Sequence, residues 1–284
     1  MYDIQSLSYM WHSDVENTMS EPDVLRELTD DGILLVTLNR PDKMNALNAG
    51  ISEGIQSAVN ETKLNDDIKV IVLTGNGRGF CAGADLSTGG PAGGGPKEPG
   101  RAAIVDKHGP AALVESLAAS HVPLIGAING AAAGAGFGIS LCMDIRIASE
   151  QARMGTIFIK RGVGPDYGTS YWLPKLVGVP KAFEMIYSGE LLTAEEALQV
   201  GLVNRVVPHD SLLEETMEYA RMIASGPPLA YTYTRRSIVQ SLHNNLDQQL
   251  VLEWTQQSEL LRSKDAIEGF KAFTERRDPK FLGR

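Results

Sequence analysis

Two short segments of this 284-residue chain could do chemistry with their backbone. Phe80-Cys-Ala-Gly-Ala-Asp-Leu86 and Asn129-Gly-Ala-Ala-Ala-Gly-Ala-Gly136 are made almost entirely of glycine and small side chains, and each follows an apolar run. Small residues let a ligand or a second backbone approach the main chain closely. Where such a turn opens a helix, its unpaired N–H groups are electropositive, preorganised donors. Two such turns side by side would aim two N–H groups at one oxygen, forming an oxyanion hole for an enolate or a tetrahedral intermediate. Taken singly, either turn reads as close helix–sheet packing; it is the pair that suggests catalysis. Other catalytic signatures are missing from the sequence. There is no Gly-x-x-x-x-Gly-Lys-Ser/Thr, no His-Glu-x-x-His and no Gly-x-Ser-x-Gly. Gly134-Ala-Gly136-Phe-Gly138 approaches a dinucleotide loop, but its third glycine comes one residue early and Ile139 holds the fingerprint position. The five histidines are scattered without ligand spacing, so no metal is expected.

The elements that must position these turns follow from hydrophobic patterning. Gly32 to Asn39, Val70 to Thr74, Val122 to Ile128 and Ile145 to Ala148 are short apolar runs rich in β-formers, and read as strands. Asn48 to Lys63 carries Ile51, Ile55, Val59 and Leu64 at helical spacing, and a second helix is expected over Pro110 to Ala119. Ile139 to Asp144 reads as a helical turn or two. Ser87 to Gly100, rich in glycine and proline, reads as a loop. The order strand, glycine-rich turn, helix occurs twice, at Val70 to Leu86 and at Pro123 to Asp144. Thr193-Ala-Glu-Glu196 matches a capping box, and Gly201 stands where a C′ residue belongs. Beyond Pro228 apolar residues recur at helical spacing from Ile238 to Phe273. The chain thus divides into a polar N-terminal extension, a β-rich core and a helical C-terminal region.

Composition limits the partners. With 43% hydrophobic residues the chain can bury a large core, and its formal net charge of −9 disfavours nucleic acid as a partner. No run reaches the ~18 apolar residues of a membrane helix. The first residues lack the basic-then-apolar order of a secretory signal, and Cys81 and Cys142 are the only cysteines, so the cytoplasm is the expected compartment.

Five motifs together resemble the crotonase (enoyl-CoA hydratase/isomerase) superfamily. They are Asn39-Arg-Pro-Asp-Lys-Met-Asn-Ala-Leu47, Phe80 to Leu86, Ala127-Ile-Asn-Gly130 with the Gly/Ala run to Gly136, Gly201-Leu-Val-Asn-Arg-Val-Val-Pro208 and Glu268-Gly-Phe-Lys-Ala-Phe-Thr-Glu-Arg-Arg277. The resemblance implies an α/β fold, a crotonase-like spiral of ββα units with a helical C-terminal trimerisation region. It divides the chain into an extension (1–24), a core with an acyl-CoA site (25–200) and the helical region (201–284). It implies a homotrimer or a dimer of trimers, no cofactor apart from the coenzyme A carried by the substrate, and oxyanion-hole N–H groups at Ala84 and Ala135. Lys43, Met44 and Ala82 would border the CoA, with Ala46, Asp85, Leu86, Ala133, Gly134, Gly138 and Phe158 also in the substrate site. Arg276 would approach the nucleotide phosphates from a neighbouring subunit.

One departure matters most. Enoyl-CoA hydratases of this family carry two glutamates at positions that correspond here to Gly138 and Phe158, and neither of these can move a proton. In Gly162-Val-Gly-Pro-Asp-Tyr-Gly-Thr-Ser-Tyr-Trp-Leu-Pro-Lys-Leu-Val-Gly178, Asp166 occupies a slot that holds an aspartate in dienoyl-CoA and epoxyphenylacetyl-CoA isomerases, and the pattern most resembles the latter. Apolar walls such as Phe158 and Trp172 would raise its pKa and suit it to shuttling a proton. The competing reading of Asp166 is an N-cap. Asp85 has a competing role as a first-turn acid, Asp144 reads as a structural pairing residue, and His108 as a surface residue or a pocket residue. Three functions follow as expectations: an enoyl-CoA isomerase using Asp166, a hydratase in which Asp166 and a water replace the glutamates, or an acyl-CoA-binding protein.

Overall fold

The four apolar runs lie together in one sheet. The computed structural model describes residues 21–87 and 109–284. Its larger sheet has six strands in the order β1 (Val24–Leu28), β2 (Ile33–Leu38), β3 (Val70–Gly75), β5 (Leu124–Ile128), β7 (Ile145–Ser149) and β10 (Arg205–Val207). Only the β1–β2 pair is antiparallel. A parallel sheet must be covered on both faces, and β3 shows how the sequence achieves this. Its alternate residues Ile71 and Leu73 join one apolar cluster, while Val70 and Val72 join another on the opposite face. The first cluster includes Ile55 and Val59 of α1 (Ala49–Glu61) and Leu117 of α2 (Gly109–Ala118). The second includes Leu212, Ala220 and Ala224 of α7 (Leu212–Ala224).

A second sheet joins four very short strands in the order β4 (Gly79–Cys81), β6 (Ala131–Ala133), β8 (Arg153–Gly155) and β9 (Leu192–Thr193). The chain feeds each sheet in turn, β3 then β4, β5 then β6, β7 then β8. The helices α3 (Ala135–Leu141), α4 (Thr169–Val177), α5 (Val179–Ser188) and α6 (Ala194–Gln199) follow these strand pairs. This is the ββα spiral. After β10 come α7, then α8 (Pro228–Ser241), α9 (Leu246–Leu260) and α10 (Lys264–Glu275). Among the described residues no helix is long and apolar enough to cross a membrane.

Local signals set several boundaries. The Asn48 side chain accepts the Ile51 N–H at the start of α1, and Thr193 and Glu196 form the capping box of α6. Some expectations need correction. The Gly/Ala run was expected as one continuous turn, but it contains β6, because three alanines carry no alternation that marks a strand. Up to Ser87 the described residues show no helix after the first glycine-rich turn. Leu64 lies beyond the end of α1 and is 93% exposed. The core sheet also runs past the expected boundary at 200, since β10 is its last strand. Residues 1–20 and 88–108, which hold most of the expected extension and loop and also His108, lie outside the described residues.

A buried arginine ties the helical region to the core. Arg235 of α8 donates to the carbonyls of Leu117, Ala118 and Ser120 at the end of α2. It also pairs with Asp144 at 2.8 Å, and Asp144 accepts the Leu124 N–H that opens β5. Asp144 is thus the structural residue expected. Replacing Arg235 with Met should cost about 1–3 kcal/mol in denaturant unfolding, because it leaves three carbonyls without their donor. A loss below about 1 kcal/mol would show that other contacts hold the two regions together.

Candidate active site

The site begins where β4 and β6 meet. A Cβ added at Gly136 would lie 2.1 Å from the Cys81 carbonyl oxygen, and one at Gly130 would lie 2.1 Å from that of Arg78. No side chain fits at either position. At Gly83 an added Cβ would stand 3.1 Å from the Ala133 oxygen and 3.8 Å from the Ala135 nitrogen. The two glycine-rich turns therefore touch backbone to backbone. Gly83 and Gly134 have φ of +110° and +53°, a region that side chains disfavour.

Each turn holds a backbone N–H with no bond to another of the described residues, Ala84 in the first and Ala135 in the second. Leu47 donates to the Gly83 carbonyl and accepts the Asp85 N–H, which makes an isolated parallel bridge to Ala84. In a parallel bridge the residue between the two bonds directs its own N–H and C=O away from the partner. The Ala84 N–H thus faces away from Leu47. Ala135 is the first residue of α3, where a backbone N–H has no partner within the helix, and Gly134 supplies no side-chain cap. Neither N–H donates to another of the described residues.

Side chains from the 158–169 segment cover α3. The Phe158 ring comes within 3.8 Å of the Cβ position of Gly134. At Gly138 an added Cβ would be 2.6 Å from the Tyr167 Cβ and 3.0 Å from the Thr169 hydroxyl. The space that a side chain at 138 would need is therefore full. Asp166 lies in the same turn. Its carbonyl accepts the Thr169 N–H at 2.9 Å, but the N-cap of α4 is Gly168 and no side chain caps that helix. The capping reading of Asp166 therefore fails at its side chain. Asp166 reaches the surface, yet the protein around it desolvates its carboxyl and raises its pKa above the ordinary aspartate value. A bond from its own N–H opposes that rise.

The remaining expected residues differ in where the structure places them. Met44 and Ala82 are joined, the Met44 carbonyl accepting the Ala82 N–H at 3.0 Å, with exposed Lys43 beside them. Ala133 is buried next to Gly134, and Leu86 is 63% exposed. Asp85, expected among the substrate contacts, lies in the first glycine-rich turn. It is buried, bonded to Ser87 and paired with Arg40 at 2.8 Å, and these bonds hold its carboxyl far below the usual range. Arg40 also donates to the Ala46 carbonyl at 2.6 Å, so it clamps the 43–47 segment to the first turn. Arg276 caps α10 in a left-handed conformation and is exposed, and among the described residues no contact joins it to the glycine-rich turns. Sequence reasoning missed Tyr167 and Arg40. The only signal for Arg40 was its place in the Asn39-Arg-Pro motif, and Tyr167 had none beyond its neighbour Asp166.

The chain is similar along most of its length to several known proteins. A family model described as enoyl-CoA hydratase/isomerase matches residues 29–284. A probable enoyl-CoA hydratase of Rhodobacter capsulatus is 35% identical over 92% of this chain and 98% of its own length. The 1,2-epoxyphenylacetyl-CoA isomerase of Escherichia coli is 34% identical over 90% of this chain and 97% of its own. A crystal structure of an enoyl-CoA hydratase subunit from Geobacillus kaustophilus superposes with a TM-score of 0.84 at 34% identity, covering 92% of this chain and 98% of that one.

The contact between the turns can be tested directly. Gly136→Ala should destabilise the protein by about 1–3 kcal/mol, because the new methyl must push Cys81 away. The readout is a lowered melting temperature, and an unchanged one would mean that the turns do not touch.

Proposed function

This chain belongs to the enoyl-CoA hydratase/isomerase family and is an acyl-CoA enzyme, and on that premise we propose that it is an isomerase, moving a proton along an enoyl thioester. The Ala84 and Ala135 N–H groups bind the thioester oxygen and stabilise the enolate made when a carbon-bound proton leaves. Asp166 takes the alpha or gamma proton and returns it to another carbon. Coenzyme A enters as part of the substrate, and the chemistry needs no other cofactor. Lys43, Met44 and Ala82 border the CoA, with Ala46 beside them. Leu86, Ala133, Gly134, Gly138 and Phe158 border the acyl group. Asp85 holds the first turn through Arg40.

The observation that carries this reading is the filling of the 138 and 158 positions. Tyr167 and Thr169 occupy the space beside Gly138, and a phenylalanine stands at 158, so no carboxylate pair is present there to orient water and reprotonate carbon. Asp166 is a carboxyl of raised pKa in the segment that covers α3. The name of the Rhodobacter relative supports a second reading, water addition assisted by Asp166. Mass spectrometry of products from an acyl-CoA panel separates the two readings. A shifted double bond supports isomerisation, and a gain of one water mass supports hydration.

Asp166→Asn keeps size and backbone bonding but cannot carry a proton. It should lower kcat at least ~10²-fold with little change in melting temperature. Because burial raises the Asp166 pKa, wild-type activity should fall as pH drops through a value above that of an ordinary aspartate. That acid limb should be missing from the residual rate of the variant. Unchanged turnover in the variant would sink the mechanism.

The same proposal includes a second copy of the chain. Ile238, Leu250, Trp254, Ile267, Phe270 and Phe273 of α8 to α10 are each more than half exposed in the single chain. A helical face this apolar is expected to be covered, and self-association into trimers or dimers of trimers would cover it and bring Arg276 to a neighbour's nucleotide. Light scattering should give a trimer or a hexamer, and Trp254→Glu with Phe273→Glu should dissociate it. A wild-type monomer at micromolar concentration would overturn this assembly.

A further inference from the structure

We propose that the Tyr167 hydroxyl is a hydrogen-bond donor to the acyl group, so that the enzyme favours acyl-CoA substrates carrying an oxygen acceptor beyond the thioester. This inference rests on the acyl-CoA reading above and adds to it a selection among substrates.

The first observation is how Tyr167 is held. Its φ is +48°, a left-handed conformation that costs a bulky residue energy, and Gly168 follows at +72°. These two residues turn the chain so that the Tyr167 Cβ sits against Gly138, in space that any side chain at 138 would need. Gly138 lies three residues beyond Ala135 on α3, and residues at that spacing share a helix face. The tyrosine therefore starts beside α3 about one helical turn beyond Ala135, one residue after Asp166.

The second observation is its hydroxyl. Tyr167 is half-buried and packs against the larger core cluster. Buried tyrosines normally give their hydroxyl a partner. Tyr171 bonds His243 at 2.9 Å and Tyr233 bonds Glu259, but the Tyr167 hydroxyl has no hydrogen-bond partner among the described residues. The hydroxyl is not among the sealed, unsatisfied polar atoms of the described residues, so it is open to a ligand as well as to water. Burial and the nearby Asp166 and Cys81 push the phenol up to about 12, so it stays protonated near neutral pH and acts as a donor.

Its surroundings narrow the ligand. Ile157 and Phe158 approach Gly134 with carbon atoms only. The Thr169 hydroxyl is also unpartnered, but Thr169 is fully buried. Asp166 is committed to proton transfer. An acceptor oxygen on the acyl group, from a carbonyl, hydroxyl or ether, would meet a neutral side-chain donor that keeps some access to solvent.

Binding tests this without turnover. Saturated acyl-CoAs of equal length, with an ether oxygen or a methylene at the third, fourth or fifth carbon, are titrated into the wild-type protein and Tyr167→Phe. The wild type should bind one of the oxygen-bearing thioesters about tenfold more tightly than its methylene partner, as expected for one neutral hydrogen bond. Tyr167→Phe should remove that preference and leave methylene binding and melting temperature unchanged. An equal preference in the variant, or none in the wild type, would overturn the inference. In that event, intact methylene binding together with the loss of turnover in Asp166→Asn would leave the acyl-CoA reading standing. If neither thioester binds, both readings fall.

Discussion

Everything at the site depends on two backbones packed without side chains between them. The oxygen of Cys81 fills the place where Gly136 would carry a methyl, and the oxygen of Arg78 does the same at Gly130. Two preorganised N–H groups can share one oxygen only if their chains are this close. The second sheet is what brings them together. Pairing of β4 with β6 sets the register of the two turns, and the larger sheet, buried on both faces, fixes where each short strand emerges. Arg40 then anchors the first turn from its outer side by holding Asp85 and the Ala46 carbonyl together.

The electrostatics follow from the same packing. A free carboxylate one residue from Ala84 would oppose negative charge on the bound oxygen. Asp85 avoids this through its close pairing with Arg40, which neutralises its charge locally. Cys81 and Cys142 are buried thiols pushed up to about 11 and about 12, so both are uncharged near neutral pH. The groups around the turns are thus neutral or paired, while Asp166 in the covering segment keeps a carboxyl free to titrate. An acidic chain can in this way hold a site suited to a developing anion.

How much of this the sequence revealed depended on the length of each signal. The four central strands of the larger sheet were readable because each carries a short run rich in apolar β-formers, such as Val70 to Leu73, whereas its outer strands β1 and β10 were not read as strands. The C-terminal helices were readable from apolar spacing over about forty residues, and the capping box placed the start of α6. The second sheet was not readable, because Gly79–Cys81 and Ala131–Ala133 are too short and too uniform to alternate. The loss of glutamates at 138 and 158 could be seen as letters. That Tyr167 fills the gap beside Gly138 could not, since the contact depends on a positive φ at a residue type that rarely adopts one. The Asp85–Arg40 pair was hidden for a related reason, as its members are forty-five residues apart and only folding joins them.

The absence of carboxylates at 138 and 158 bears on which reaction the site could run. Without carboxylates at 138 and 158, a water molecule loses the groups that would orient it for attack. Asp166 reaches the surface, yet desolvation by the protein around it raises its carboxyl above an ordinary aspartate and strengthens it as a base. Hydration needs water held and activated, whereas isomerisation needs water kept away from a carbanion that must be reprotonated by the group that formed it. A single carboxyl of raised pKa, in the segment that covers α3, is the group that the proposed proton transfer would use.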